Sequence, residues 1–168
     1  MRENTGKVVL VGAGPGDTGL LTLKGEKYIK QADCLVYDRL SSPEFLSMAK
    51  AGCELIYVGK ENHKHVMNQD AINELLYEKS KYHELVVRLK GGDPYVFGRG
   101  GEEALYLVDR NVEVEVVPGV SSSVAALAAA GIPITHRGIA KGFQVITAHS
   151  RRDEEADIDY SLLTDETI

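Results

Sequence analysis

Short apolar runs recur along most of the chain and predict β-strands. Residues 7–11 form a continuous apolar run after the lysine, which is typical of a parallel strand buried on both faces. From Val112 to Val116 valine alternates with glutamate, which indicates a strand at or near a sheet edge with one solvated face. The remaining predicted strands cover residues 34–37, 55–58 and 85–89.

Helical signals fill the stretches between these runs. Residues 22–31 and the alanine-rich segment 123–130 predict helices. A short helix should start around Pro43, where Ser41 and Glu44 have the spacing of a capping box. A further helix carries its apolar residues on one face: Ile72, Leu75 and Leu76. The alternation predicts an α/β fold with a mostly parallel five-stranded sheet and helices on both faces.

Each predicted strand ends in a loop with unusual residues. In open α/β sheets the loops at the carboxyl ends of the strands share one edge, which is where ligands bind. We therefore predict a ligand site built from these loops: 12–17, 38–39, 59–60, 91–93 and 119–122.

The loop after the central strand carries the strongest signal. Gly91 and Gly92 permit positive φ and a close approach to a bound molecule, so we expect their amide N–H groups to lack strand partners and to face a ligand. Pro94 restricts Asp93 to an extended conformation, which aims its carboxylate. A tight turn with an Asx motif at Asp93 is the structural alternative.

The composition changes after residue 130. Gly131 and Pro133 disfavour helix in the connector over residues 131–137, and residues 143–147 predict a new strand. We expect an N-terminal α/β domain over residues 1–134 that carries the loops described above. Residues 135–168 are expected to form a connector and the truncated start of a second α/β domain.

Composition narrows the class of protein. The chain has 43% hydrophobic residues, which suffices for a core, and a net charge of −6 argues against nucleic acid as a partner. The sequence contains no apolar run long enough for a membrane span, and its start is not typical of a signal peptide. Cys34 and Cys53 have neither metal-site nor disulfide spacing, so we expect a reduced, cytoplasmic compartment.

Three further motifs could suggest other functions, but the evidence for each is weaker than for the ligand site. The glycines at 12, 14 and 16 resemble a dinucleotide fingerprint, but the last glycine spacing is missing, so a dehydrogenase is the less favoured enzyme class. His63 and His65 lie in a polar segment without a third ligand, so we expect no metal site there. Glu102 and Glu103 start a helix, where negative charge favours the dipole.

The ordered motifs resemble the tetrapyrrole methylase family over nearly the whole chain. They are VGAGPGD at 11–17, VYDRL at 36–40, VGK at 58–60, RLKGGDPYVFGRGGEE at 88–103, VPGVSS at 117–122 and GIPITHR at 131–137. The resemblance implies two α/β domains, a homodimer and S-adenosylmethionine as the methyl donor, without a metal. The branch it resembles most methylates two ring carbons of uroporphyrinogen III to give precorrin-2, for siroheme and cobalamin synthesis.

The resemblance also assigns roles to residues. It implies Asp38 as the proton acceptor and Lys60 as a proton donor. A salt bridge to Arg39 is the alternative role for Asp38, and a substrate carboxylate is the alternative partner of Lys60. The residues implied in cosubstrate binding are Pro15, Gly91, Gly92, Asp93, Val96, Ser121 and Ser122.

Substrate binding and turnover stay open. Arg39, Arg99 and Arg137 are candidate clamps for the substrate carboxylates or else solvated surface residues. We weigh three functions: the methyltransferase, a non-catalytic fragment that keeps only fold and dimerisation, and a methylase of the same family acting on a later corrin precursor. Our hypothesis is that this chain alone lacks full activity.

Overall fold

The computed structural model describes residues 5–39, 43–59 and 67–147. These residues form two compact units that divide between Ser121 and Ser122. No helix among the described residues is both long and apolar enough to cross a membrane.

The first unit contains a five-stranded sheet in which every neighbouring pair is parallel. Its order is β3-β2-β4-β1-β5, so the strand predicted to be central is central. The strands are β1 (Lys7–Gly12), β2 (Cys34–Tyr37), β3 (Glu54–Tyr57), β4 (Leu85–Lys90) and β5 (Val114–Val117). The predicted fold class and the edge position of β5 are confirmed.

Among the described residues of the first unit, four α-helices and one 3₁₀ turn connect the strands. The helices are α1 (Leu23–Gln31), α2 (Pro43–Ser47), α3 (Gln69–Ser80) and α4 (Gly100–Val108), and the turn spans Thr18–Leu20. Thr22 caps α1 by accepting from Gly25 N at 3.1 Å. The proposed capping residue of α2, Ser41, lies outside the described residues.

Two apolar clusters, one on each face of the sheet, hold the helices in place. On one face Ile72 and Leu76 of α3 and Leu107 of α4 pack against β1, β2 and β4. On the other face Ile29 of α1 and Phe45 of α2 pack against the same strands. Burial of each such side chain contributes about 1.5–3 kcal/mol. Helices on both faces are therefore confirmed.

The solvated face predicted for β5 is wrong at Glu115. Its carboxylate lies 2.6 Å from Lys7 Nζ and 2.5 Å from Lys24 Nζ, and it accepts a hydrogen bond from the Tyr28 hydroxyl. Lys24, then Lys7, lower the pKa of Glu115 to about 2. Lysines from β1 and α1 cover this edge because the glutamate offers them a shared partner.

The second unit contains helix α5 (Ser122–Ala129), close to its predicted bounds. The strand predicted over residues 143–147 is wrong within the described part of the chain, because no described neighbour pairs with it. The second α/β domain, and with it the division at residue 134, stays a prediction.

Candidate active site

Three loops meet through their backbones at the carboxyl edge of the sheet. Gly92 N donates to the Gly14 carbonyl at 2.7 Å, and Gly14 N donates to the Gly92 carbonyl at 3.2 Å. Both glycines have positive φ, 72° at Gly14 and 64° at Gly92. A Cβ on Gly119 would lie 2.2 Å from the Gly92 carbonyl oxygen, so no side chain fits there. We call this group the glycine cradle: Gly12, Gly14, Gly92, Asp93 and Gly119.

The expectation of a free amide is wrong for Gly92, because its N–H donates to Gly14. The residue instead provides room. A Cβ built on Gly92 would approach only one described atom within 4 Å, the Ser121 Cα at 3.9 Å. Open space therefore faces Gly92 beside Ser121, which agrees with the predicted close approach of a ligand to the backbone.

Both carboxylate oxygens of Asp93 accept from backbone amides. Oδ1 accepts from Tyr95 N at 2.8 Å, which is the Asx turn considered as the alternative. Oδ2 accepts from Gly119 N at 3.0 Å. Asp93 thus ties the loop after β4 to the loop after β5. A carboxylate offers about four acceptor positions, so this tie leaves Asp93 capacity for a ligand donor.

The loop between β4 and α4 presents three consecutive apolar side chains to solvent: Tyr95, Val96 and Phe97. Phe97 and Arg99 have φ values of 51° and 56°. This left-handed region costs a non-glycine residue about 1 kcal/mol. Gly100 N donates to the Pro94 carbonyl at 2.9 Å and closes the loop. Val96, one of the predicted cosubstrate residues, therefore lies on a constrained, exposed loop.

A group of buried charges lies where β4 meets α3 and α4. Glu103 of α4 is fully buried, and Arg88 and Lys90 of β4 are only 3% and 5% exposed. Glu103 Oε1 lies 2.8 Å from Lys90 Nζ and 3.5 Å from Arg88 Nε, and it accepts from Gln69 Nε2 at 3.1 Å. Glu103 Oε2 is buried without a hydrogen-bond partner among the described residues.

Arg88 connects the buried charges to Asp38 at the carboxyl edge of the sheet. Its Nη2 donates to Asp38 Oδ2 at 3.0 Å, and its Nη1 donates to the Leu89 carbonyl at 2.7 Å. The described salt bridge of Asp38 is therefore with Arg88 of the central strand and not with Arg39, the partner considered as the alternative. Burial, and next the neighbouring Arg88, lower the pKa of Lys90 although Glu103 opposes this shift. We call this group the ion cluster: Asp38, Gln69, Arg88, Lys90 and Glu103.

The sequence interpretation missed the ion cluster. Glu103 was assigned to the helix dipole, and Arg88 and Lys90 received no role. A signal was present, because two cations in a central parallel strand must be buried, and buried cations require an anion. Nothing in the spacing identified Glu103 as that anion and its neighbour Glu102 as exposed.

The structure brings several predicted site residues together. Pro15 is exposed between Gly14 and Gly16, and Gly91 lies half-buried directly after β4. Ser121 is half-buried next to Gly92, whereas Ser122 begins α5 in the second unit. Lys60, the predicted proton donor, lies outside the described residues.

The candidate substrate clamps differ in their surroundings. Arg99 donates two hydrogen bonds to Glu102, at 2.9 Å and 2.8 Å, so its guanidinium already holds a carboxylate. Arg39 in the first unit and Arg137 in the second are exposed. These placements leave the three roles as predictions.

One group of metal-ligand residues occurs among the described residues, at the amino edge of the sheet. Candidate ligand atoms of Cys34, Glu54 and His83 all lie within 4.8 Å of one another. Glu54 is already 2.5 Å from Lys79 Nζ and 2.8 Å from His83 Nε2, and burial raises the pKa of the Cys34 thiol to about 12. The group is therefore an ion pair beside a protonated thiol. His63 and His65 lie outside the described residues.

Comparison with known proteins defines the class. Residues 7–167 match the model of the family Tetrapyrrole (Corrin/Porphyrin) Methylases, so the chain belongs to that family. A uroporphyrinogen-III C-methyltransferase from Methanocaldococcus jannaschii is 56% identical over 165 residues, which cover 98% of this chain and 68% of that protein. Siroheme synthase 2 of Yersinia enterocolitica is 51% identical over 92% of this chain and 33% of its own length. The chain thus spans between a third and about two thirds of these relatives.

Solved structures show the same fold. The native form of uroporphyrin III C-methyl transferase from Thermus thermophilus has a TM-score of 0.78 at 48% identity, over 90% of this chain and 64% of that one. The enzyme from that organism complexed with S-adenyl homocysteine has a TM-score of 0.76 at 47% identity, over 90% and 60%. The predicted family and first-domain fold are confirmed.

Proposed function

We propose that this chain is part of an S-adenosylmethionine-dependent uroporphyrinogen-III C-methyltransferase that forms precorrin-2 for siroheme and cobalamin synthesis. Support comes from relatives with that name at 51–56% identity and from the similar T. thermophilus structure complexed with S-adenyl homocysteine. The observation that carries the proposal is the glycine cradle, whose open side at Gly92 lies beside Ser121.

The residues of the glycine cradle fit the cosubstrate. Gly92 leaves space that a Cβ would fill, and outside the glycine cradle, in the loop after β1, Gly16 has a φ of 114° with no described atom within 4 Å of a built Cβ. S-adenosylmethionine, when bound, supplies an electrophilic methyl group. We assign its binding to Pro15, Gly91, Gly92, Asp93, Val96, Ser121 and Ser122.

The reaction requires positioning and one proton acceptor. A new bond forms between the ring carbon and the methyl carbon as the methyl–sulfur bond breaks, and the macrocycle then loses a proton from another position. We assign the proton acceptor to Asp38, which lies directly after β2 with a 23% exposed side chain and a fixed contact to Arg88. Lys60 is assigned as the proton donor.

The assembly and location belong to the same proposal. We propose a homodimer in the cytoplasm that binds neither nucleic acid nor membrane and holds no metal. The net charge of −6 supports the first exclusion, and the biosynthetic names of the relatives support the location.

A methyl-transfer assay tests this function. The chain is incubated anaerobically with S-adenosylmethionine and uroporphyrinogen III, and methylated product is measured for the wild type and for Asp38→Asn. In line with the hypothesis that this chain alone lacks full activity, we expect the wild type to turn over more slowly than a full-length relative, and Asp38→Asn to be at least about a hundredfold slower than the wild type. Equal rates in the two proteins would remove Asp38 from the mechanism.

A binding unit without turnover is the second candidate. It is favoured by the length of the chain, which is 68% of the M. jannaschii relative. Tight binding of S-adenosylhomocysteine without any product would support it against the complete enzyme.

A further inference from the structure

The side chains of Glu103 and Asp38 belong to different elements and are linked through one guanidinium. Glu103 is on α4 and fully buried, whereas Asp38 follows β2 and is partly exposed at the sheet edge. Arg88 reaches Glu103 through Nε at 3.5 Å and Asp38 through Nη2 at 3.0 Å. Its third nitrogen, Nη1, is held by the Leu89 carbonyl at 2.7 Å. Each nitrogen of this planar group therefore has its own acceptor.

Glu103 is itself held firmly. Lys90 Nζ and Gln69 Nε2 both donate to its Oε1, and Gln69 Nε2 also donates to Asn73 Oδ1 at 2.9 Å. The anchoring contacts thus come from α3 and β4, which are packed elements of the first unit. Geometry fixed by packed elements is transmitted to a partly exposed carboxylate only if the connecting group is rigid, and a planar guanidinium with three partners meets that condition.

Stability alone does not explain why the protein buries the charges of the ion cluster. Three buried charges contribute little net stability, since an apolar replacement of equal volume is often as stable. What the ion cluster does provide is a hydrogen bond from Arg88 Nη2 to Asp38 Oδ2 at its partly exposed end.

We propose that Glu103 and Arg88 are positioning residues, and that Glu103 acts through Arg88 to hold the Asp38 carboxylate in one orientation at the site. The proposal rests on the proposed function only for the role of Asp38. Neither positioning residue contacts the substrate; both act on the residue that receives its proton.

A double-mutant cycle measures the energetic coupling between Glu103 and Asp38 without any assay of activity. Urea unfolding is measured for Glu103→Gln, Asp38→Asn and their combination, in the wild-type background and in Arg88→Lys. We expect the two substitutions to be non-additive by at least about fivefold in the unfolding equilibrium constant when Arg88 is present. In the Arg88→Lys background the effects should be additive, since an ammonium group cannot reproduce the separate contacts of the guanidinium. Additivity with Arg88 present would overturn the proposal.

Methyl transfer supplies the second readout. For Glu103→Gln we expect kcat to fall at least about tenfold while the Kd for S-adenosylhomocysteine stays within about twofold. A purely structural role would lower the apparent kcat and raise the apparent Kd as the folded fraction falls, and that result would contradict the proposal. A wild-type chain without turnover would count against the proposed function, and the cycle would still decide the link. If Glu103→Gln does not fold, Gln69→Leu replaces it, because it keeps every charge of the ion cluster and removes only the neutral hydrogen bonds of Gln69 to Glu103 and Asn73.

Discussion

The two parts of the candidate site differ in the groups that form them, since one consists mainly of backbone and the other of charged side chains. The glycine cradle is made of backbone, with a pair of amide–carbonyl bonds between Gly14 and Gly92 and an aspartate that bonds two further amides. The ion cluster is made of side chains, with Arg88, Lys90 and Glu103 almost completely buried beside the same strand, β4. Both parts involve β4: the loop that follows the strand enters the glycine cradle, and two side chains of the strand enter the ion cluster.

The difference shows which kind of change each part tolerates. The glycine cradle is sensitive to added volume, because its backbones lie so close together that a Cβ on Gly119 would be 2.2 Å from the Gly92 carbonyl oxygen. The ion cluster is sensitive to lost charge, because its buried members Arg88, Lys90 and Glu103 share few partners. The predictions below separate these two sensitivities.

The largest effect is expected for Glu103→Ala. Removing the carboxylate leaves Lys90 and Arg88 buried with one anion fewer, which should lower the free energy of unfolding by about 3–5 kcal/mol in urea denaturation. The neighbouring Glu102→Ala is the matched control, since Glu102 has an exposed side chain paired with Arg99. That variant should lose less than about 1 kcal/mol. Similar losses in both would show that burial of the ion cluster is energetically unimportant.

A slightly smaller effect is expected for Gly119→Ala. Its Cβ would lie 2.2 Å from the Gly92 carbonyl oxygen and 2.7 Å from the Gly12 carbonyl carbon, so the loops must separate. We expect a loss of about 1–3 kcal/mol in urea denaturation. Gly101→Ala in α4 has no atom within 4 Å of the new methyl group and should be neutral or stabilising. Equal behaviour of the two variants would contradict the close packing of the glycine cradle.

The smallest effect belongs to a carboxylate outside the site, Glu115. Its pKa in the folded protein is lowered to about 2, so its contribution to stability is present at neutral pH and is lost as pH falls from about 4.5 to about 2. We expect Glu115→Gln to be less stable than the wild type by about 0.5–1 kcal/mol near neutral pH, with a gap that closes across that acid range. Urea titrations at several pH values measure the gap. Glu113→Gln, which removes a more exposed partner of Lys7, should show a smaller gap at every pH. A stability difference between Glu115→Gln and the wild type that grows as pH falls would contradict the lowered pKa of Glu115.

Much of the glycine cradle was predictable from the sequence, because glycine signals a backbone requirement locally. Positive φ at Gly92 and the Asx turn at Asp93 both follow from neighbouring residues in the sequence. The partners of those groups do not: Gly14 and Gly119 lie on other loops, and only the order of the strands brings them to Gly92. The expectation of a free Gly92 amide was wrong for that reason.

The ion cluster was harder to predict because its pairing is entirely non-local. Arg88 and Lys90 showed that charge enters the central strand, but the helix that carries their anion is positioned by apolar packing at Leu107. Among the described residues, the strand predicted over residues 143–147 was also wrong, since a segment forms a strand only where a neighbour pairs with it.

The central claim, that the glycine cradle binds the cosubstrate, is tested most directly by isothermal titration calorimetry. S-adenosylhomocysteine is titrated into the wild type, Gly92→Ala and Gly52→Ala. Gly92 and Gly52 both have positive φ, 64° and 83°, so both substitutions strain the backbone, but only the first places a methyl group in the space beside Ser121. We predict binding to the wild type and to Gly52→Ala, and at least about tenfold weaker binding to Gly92→Ala. Equal affinity of folded Gly92→Ala and Gly52→Ala would contradict a cosubstrate site at the glycine cradle.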